Sequence, residues 1–138
     1  MNESYIQFKN KIIQAGSWQE KYREIMLLGK KLPALPSELK VDSALVNGCE
    51  SNVWLYMDFN NEENKLLIIA DSDTRIVKGL VSIILYLYSD LTPIEIISID
   101  ANKEFEDMSL LKYLSPSRGN GIKAILNAIQ SQARLMSK

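Results

Sequence analysis

The pattern that most constrains the fold lies between residues 76 and 87, where apolar side chains occupy nearly every face of a helix. A helix that is apolar all round has to be covered on all sides, so this segment predicts a central core helix. Its apolar members are Ile76, Val77, Leu80, Val81, Ile83, Ile84, Leu85 and Leu87. This helix is therefore expected to pack on the sheet.

Two strand-like segments precede the core helix. Apolar residues at positions 53, 55, 57 and 59 alternate with other types, which indicates a strand with one strongly apolar face and a partly covered second face. The polar residues 60–64 form a turn, and the apolar run at 65–70 completes an antiparallel hairpin. Ala44-Leu45-Val46 predicts one more short strand, so the sheet is expected to have about three strands.

Helical patterns lie on both sides of these strands. The first covers residues 5–15, on a loose face of Ile6, Phe8, Ile12, Ile13 and Ala15. The second runs over residues 18–31, starts at a capping box formed by Ser17 and Glu20, and stops at Pro33. The stripe expected to be buried on the second helix contains Trp18, Tyr22, Ile25, Met26, Leu28 and Leu32.

After the core helix, Thr92-Pro93 opens a short helix that ends near Ser98, and Ser115-Pro116 opens a last helix. Residues 102–113 are compatible with one or two short helical pieces. Because helices do not alternate with strands, the pattern favours an α+β fold over a parallel α/β sheet. At 138 residues, we expect one domain spanning residues 1–138.

Composition excludes several functions. Sixteen basic and seventeen acidic residues leave a net charge of −1, so the overall charge of the protein does not attract nucleic acid or an anionic membrane. This net charge does not exclude a local patch of basic residues. Without histidine there is no Ser-His-Asp or Cys-His pair, and one cysteine cannot build a four-ligand zinc site. A polar N-terminus and the absence of a membrane-length apolar run predict a cytoplasmic protein.

The lone cysteine, Cys49, permits two interpretations. Free cysteine is often a buried structural residue, so Cys49 could be core filler in a non-catalytic interaction module. However, Cys49 follows the turn-forming pair Asn47-Gly48, and loops often carry reactive residues. A neighbouring cation would stabilise its thiolate, whereas the adjacent Glu50 would disfavour it.

Other polar residues also have two interpretations. Arg118, at the start of the last helix, is either a cation for an anionic sulfur or a partner's carboxylate, or a solvated surface arginine. Asp71 and Asp73 could act as paired acid-base carboxylates, but capping of the core helix explains both more simply. The aromatic residues Trp18, Trp54, Tyr86 and Tyr88 are expected in the core or at an interface.

Four sequence motifs follow one another along nearly the whole chain. The first is Trp18-Gln19-Glu20-Lys21-Tyr22 with Leu28-Gly29 and Leu32-Pro33. The second is Gly48-Cys49-Glu50-Ser51-Asn52-Val53-Trp54. The third is Asp71-Ser72-Asp73 with Ile76-Val77-Lys78-Gly79-Leu80, and the fourth is Leu114-Ser115-Pro116-Ser117-Arg118-Gly119. In their order and spacing, these motifs resemble the SufE/CsdE family of sulfur-acceptor proteins.

This resemblance implies a fold similar to iron-sulfur scaffold proteins of the IscU type, with a small antiparallel sheet packed against helices. It also implies that Cys49 takes sulfur from the persulfide of a PLP-dependent cysteine desulfurase and passes it to a cluster scaffold such as the SufBCD complex. The protein is further expected to stimulate the desulfurase. The acceptor itself needs no cofactor or metal. The resemblance makes Arg118, Asp73, Gly48, Glu50 and Ser51 expected partner contacts, although the family usually has glutamine where this chain has Glu50.

Overall fold

The computed structural model describes residues 2–46 and 51–137, and within them the chain forms an α+β fold. The helices and strands of the described residues are α1 (Glu3–Gln14), α2 (Trp18–Lys31), β1 (Val53–Asn60), β2 (Lys65–Ser72), α3 (Arg75–Leu87), α4 (Pro93–Ile97), α5 (Ala101–Asp107) and α6 (Pro116–Met136). The predicted fold class is thus confirmed.

The sheet is smaller than predicted. Strands β1 and β2 pair antiparallel from Val53 opposite Ser72 to Asn60 opposite Lys65, and within the described residues they are the only two strands. In place of the third strand, the segment before residue 47 has a short 3-10 turn at Asp42–Ala44 and a single bridge from Leu45 to Trp54. A strand needs consecutive pairs, and the 3-10 turn leaves only Leu45 and Val46 free to pair, so the prediction of about three strands was wrong by one.

Helix α3 is the core helix, as its pattern predicted. It packs between β2 and α2, and it buries nearly all of its apolar residues. Helix α2 approaches α3 so closely at Gly79 that a Cβ atom added there would lie 2.3 Å from the carbonyl oxygen of Ile25. The two helices therefore cross where α3 has no side chain.

The two faces of the sheet are covered differently. The alternate positions that include Val53 and Leu66 point into the core, as the strand pattern predicted. On the outer face, the connection between α2 and β1 covers the end that holds Trp54 and Asp71, where the ammonium group of Lys40 lies 5.3 Å from the Trp54 ring centroid. At the other end of the outer face, the side chain of Leu67 is exposed.

The first two helices bury fewer of the predicted residues than expected. Tyr5 and Ile12 anchor α1 in the core, whereas Ile6 and Ile13 are exposed. The phenol of Tyr5 donates a hydrogen bond to Glu104 on α5 at 2.9 Å, so burial of this face includes a polar contact that periodicity does not reveal. On α2, Ile25 and Leu28 are buried as predicted, but Tyr22 is exposed.

Candidate functional site

The chain enters and leaves residues 47–50 at one end of β1. On the entering side, the amide of Val46 donates a hydrogen bond to the carbonyl oxygen of Val53 at 2.9 Å, next to the bridge between Leu45 and Trp54. On the leaving side, Ser51 and Asn52 lead directly into Val53. Both flanks of the predicted sulfur acceptor, Cys49, are thus fixed to the sheet, while Gly48, Cys49 and Glu50 themselves lie outside the described residues.

Asn52 is held at two points by the carboxylate of Asp73. Its backbone amide donates to Oδ1 of Asp73 at 3.2 Å, and its side-chain amide donates to Oδ2 at 3.0 Å. In return, the amide of Asp73 donates to the carbonyl oxygen of Asn52 at 3.3 Å. Three hydrogen bonds therefore join the exit of the 47–50 segment to the loop between β2 and α3.

Two hydroxyl groups strengthen this junction. Ser72 donates to the carbonyl oxygen of Asn52 at 2.8 Å, and the hydroxyl of Thr74 donates to the hydroxyl of Ser51 at 2.8 Å. The Thr74 hydroxyl also lies 3.2 Å from Oδ1 of Asp73, so Ser51 and Asp73, both predicted partner contacts, contact the same hydroxyl group. We call residues 51–52 and 72–74, with these hydrogen bonds, the clamp.

Neither aspartate caps α3, so the capping interpretation of Asp71 and Asp73 was wrong. The helix begins at Arg75 with Thr74 as its N-cap, because β2 continues to Ser72 and takes up Asp71. Asp73 instead binds Asn52. The sequence pattern did not reveal this, because the contact partner lies 21 residues earlier in the chain.

Asp71 is a buried structural carboxylate. It accepts hydrogen bonds from the amides of Leu35 at 2.9 Å and Ser72 at 2.8 Å, and its oxygens lie 3.3 Å from Nζ of Lys78 and 3.8 Å from Nζ of Lys40. Burial alone would raise the pKa of Asp71, but the two amide hydrogen bonds and the Lys78 ammonium group outweigh it and lower that pKa. Its role is to tie the α2–β1 connection to the sheet.

Arg118 lies in the first turn of α6, where its amide donates to Oγ of the N-cap Ser115 at 3.3 Å. Its Nε atom is buried and has no hydrogen-bond partner among the residues that the structure describes. It also forms no ion pair with a described carboxylate, Asp73 included. A buried donor without a partner is costly, which distinguishes Arg118 from an ordinary solvated arginine.

The described residues form neither a cluster of metal-binding side chains nor a membrane-spanning helix. They contain no group of three or more Cys, Asp and Glu side chains that could hold a metal ion. No helix in the described residues is long and apolar enough to cross a membrane.

Sequence reasoning missed Asn52 and Thr74 as site residues, although both lie within or beside the motifs that it singled out.

Comparisons with known proteins cover almost the whole chain. A family model described as "SufE: Fe-S metabolism associated domain" matches residues 6–133. The solution structure of a hypothetical protein from Thermus thermophilus superposes with a TM-score of 0.72, covering 97% of this chain and 93% of that one. The two sequences are 15% identical, so this likeness supports the fold alone.

Proposed function

The chain belongs to the SufE family of Fe-S metabolism associated domains, and we propose that it serves that metabolism as a sulfur acceptor and carrier. In this proposal Cys49 takes sulfur from the persulfide of a PLP-dependent cysteine desulfurase, and the protein stimulates that enzyme. Cys49 then passes the sulfur to a cluster scaffold such as the SufBCD complex. The observation that carries the proposal is the family match across residues 6–133, which includes the only thiol in the chain.

The proposed transfer is an exchange between thiols. The Cys49 thiolate attacks the outer sulfur of the desulfurase persulfide, and a sulfur-sulfur bond forms as the sulfur-sulfur bond of the donor breaks. The electron pair leaves with the donor cysteine as a thiolate, so the step needs no oxidant or reductant. The PLP belongs to the desulfurase, and the acceptor supplies no cofactor, metal or turnover of its own.

A lone cysteine suits a carrier. Thiolates attack persulfides as they attack disulfides, so a second cysteine nearby could release the sulfur before delivery. This chain has one cysteine and no histidine, which means that no residue of either type can discharge or activate Cys49 from within. The exchange also requires a compartment that keeps thiols reduced, which agrees with the predicted cytoplasmic location.

The clamp supports a presenting role for the segment that contains Cys49. The segment follows Val46, which is hydrogen-bonded to Val53 in β1, and it precedes Ser51, which is hydrogen-bonded to Thr74, the N-cap of α3. A reacting group held on a rigid frame reaches its partner with a smaller loss of conformational freedom. We propose that the clamp fixes the base of the Cys49 segment while the desulfurase binds.

We further propose that Arg118 and Asp73 contact the desulfurase, together with Gly48, Glu50 and Ser51. Asp73 is exposed, and a carboxylate has about four acceptor positions, so it can bind a partner's donor while it holds Asn52. Arg118 is only partly buried and forms no ion pair with a described carboxylate, so its guanidinium charge is available to a partner's carboxylate.

Mass spectrometry of the intact protein tests the transfer. After incubation with a cysteine desulfurase and cysteine, the chain should gain the mass of one sulfur atom, and a reducing agent should remove it. Cys49→Ser should gain nothing. As a control for folding, the circular dichroism spectrum and thermal midpoint of Cys49→Ser should match those of the unmodified chain.

The alternative is a structural cysteine in an interaction module. On that view the chain gains no sulfur from an active desulfurase, and Cys49→Ala leaves any stimulation of the enzyme unchanged. Either result would refute the proposed function.

A further inference from the structure

A basic cleft lies between α2 and α3, next to the clamp. It has a volume of about 380 Å³ and is lined by Met26, Gly29, Lys30, Arg75 and Lys78. Lys30 comes from α2, while Arg75 and Lys78 are one turn apart at the start of α3. The charged lining of the cleft thus comes from two helices whose crossing is fixed by close packing.

The charges of this cleft are poorly balanced. Lys78 pairs with Asp71, but neither Lys30 nor Arg75 forms an ion pair with a carboxylate in the described part of the chain. Both are exposed. In a protein with a net charge of −1, this is a local positive patch that overall composition does not predict.

The cleft also lies close to the site along the chain. Arg75 directly follows Thr74, whose hydroxyl binds Ser51 in the clamp. A protein that reaches the Cys49 segment is therefore near the cleft as well. We propose that the cleft binds a carboxylate-bearing segment of the desulfurase, an inference that rests on the proposed function and names one contact of that complex.

The lining favours a protein segment over a small anion. A site for phosphate usually concentrates several donors on one point, whereas Lys30 and Arg75 are exposed on different helices. Separate cations match carboxylates spaced along a chain. Met26 adds a flexible apolar contact, and Met and Arg are both enriched at protein interfaces.

The first experiment tests the cleft without the desulfurase. Amide chemical shifts of the ¹⁵N-labelled protein are followed during titration with hexaglutamate, and saturable shifts are expected at Gly29, Lys30 and Arg75. The double variant Lys30→Glu/Arg75→Glu should lose them. Lys31→Glu/Lys123→Glu changes the same net charge at exposed positions outside the cleft and should keep them. Lys78 is left unchanged because it pairs with Asp71.

The second experiment measures affinity for the desulfurase by calorimetry. The cleft variant should bind about tenfold more weakly, because two like-charge contacts replace two attractive ones, while the control variant changes by less than about twofold. At saturating desulfurase, both variants should still gain one sulfur atom on Cys49. Raising the salt concentration should reduce the difference in affinity between the variants.

The outcomes separate the two proposals. If the cleft variant and the control variant bind the desulfurase with equal affinity, and the chain still gains sulfur, the proposal that the cleft binds the desulfurase is wrong. The proposed function is then unaffected. Saturable binding of inorganic phosphate with no response to hexaglutamate would also overturn the proposal for the cleft, in favour of a small-anion site. Failure of the unmodified chain to gain sulfur would overturn the proposed function, and with it the desulfurase as the cleft's partner.

Discussion

The carboxylate of Asp73 holds both the backbone amide and the side-chain amide of Asn52, at 3.2 and 3.0 Å. This bidentate contact joins two motifs that are about twenty residues apart, the one that contains Cys49 and the one that opens α3. An aspartate predicted to be a helix cap or a partner contact therefore has a defined internal role. Its remaining acceptor capacity is available to a partner.

We expect Asn52 and Asp73 to be energetically coupled. Asn52→Ala and Asp73→Ala should each lower the free energy of unfolding by roughly 1 kcal/mol, since each removes at least one charge-assisted hydrogen bond at an exposed site. Because both variants remove the bond between the Asn52 side-chain amide and Oδ2 of Asp73, the double variant should lose less than the sum of the two. Urea unfolding measures this cycle, and Asn127→Ala, exposed on α6, supplies a partner that should add independently to Asp73→Ala.

The helix crossing gives a second prediction. A Cβ atom at position 79 would lie 2.3 Å from the backbone oxygen of Ile25, which cannot rotate away, so Gly79→Ala should force α2 and α3 apart. We expect a loss in the free energy of unfolding on the order of 3 kcal/mol. Gly119→Ala is the matched control, because a Cβ there meets no described atom within 4 Å, and it should stabilise α6 by up to about 1 kcal/mol. Thermal unfolding of both variants checks the contrast, and similar midpoints would contradict it.

The elements of this fold that could be predicted from the sequence are those with strong local signals. Periodicity and caps located α2 at Trp18–Lys31, and the Thr92-Pro93 signal located α4, whose capping box with Glu95 is present. The missing third strand shows the limit of such signals. Leu45 and Val46 have strand-like side chains, but a strand also requires partners, and the 3-10 turn at Asp42–Ala44 removes the residues that would extend the pairing.

The candidate site was less predictable, because its contacts join distant parts of the chain. Cys49, Ser51, Asp73 and Arg118 were singled out from sequence, but nothing local distinguishes the role of Asp73 from helix capping. Ser72 ends β2 two residues later than the apolar run suggests, and that shift alone moves Asp71 from a loop into the buried sheet. A short extension of a strand thus changed the roles of two carboxylates.

Asp71 should make stability depend on acid pH. Its pKa is lowered in the folded state, so its contribution is complete above the unfolded pKa of about 4 and is lost as pH falls through the lower folded pKa. Asp71→Asn should reduce the free energy of unfolding at pH 7 by on the order of 2 kcal/mol, since hydrogen bonds and an ion pair to a charged group are weakened. The deficit should shrink towards pH 2. Urea unfolding between pH 2 and 7 measures it, and a deficit that is constant with pH would contradict the assigned role.

Arg118 should show opposite effects on stability and on binding. Its buried Nε has no acceptor among the described residues, so Arg118→Met removes a costly unsatisfied donor and keeps most of the apolar stem. We expect an unfolding free energy equal to or higher than that of the unmodified chain, together with a desulfurase affinity that is weaker by about tenfold, the usual scale for loss of one charged interface contact.

Arg134→Met, near the other end of α6, is the matched control and should leave affinity unchanged. Arg118→Lys keeps the charge but lacks the planar fork, so it should recover only part of the affinity. If Arg118→Met unfolds more easily and binds the desulfurase normally, Arg118 is a structural residue and its proposed contact with the partner is wrong.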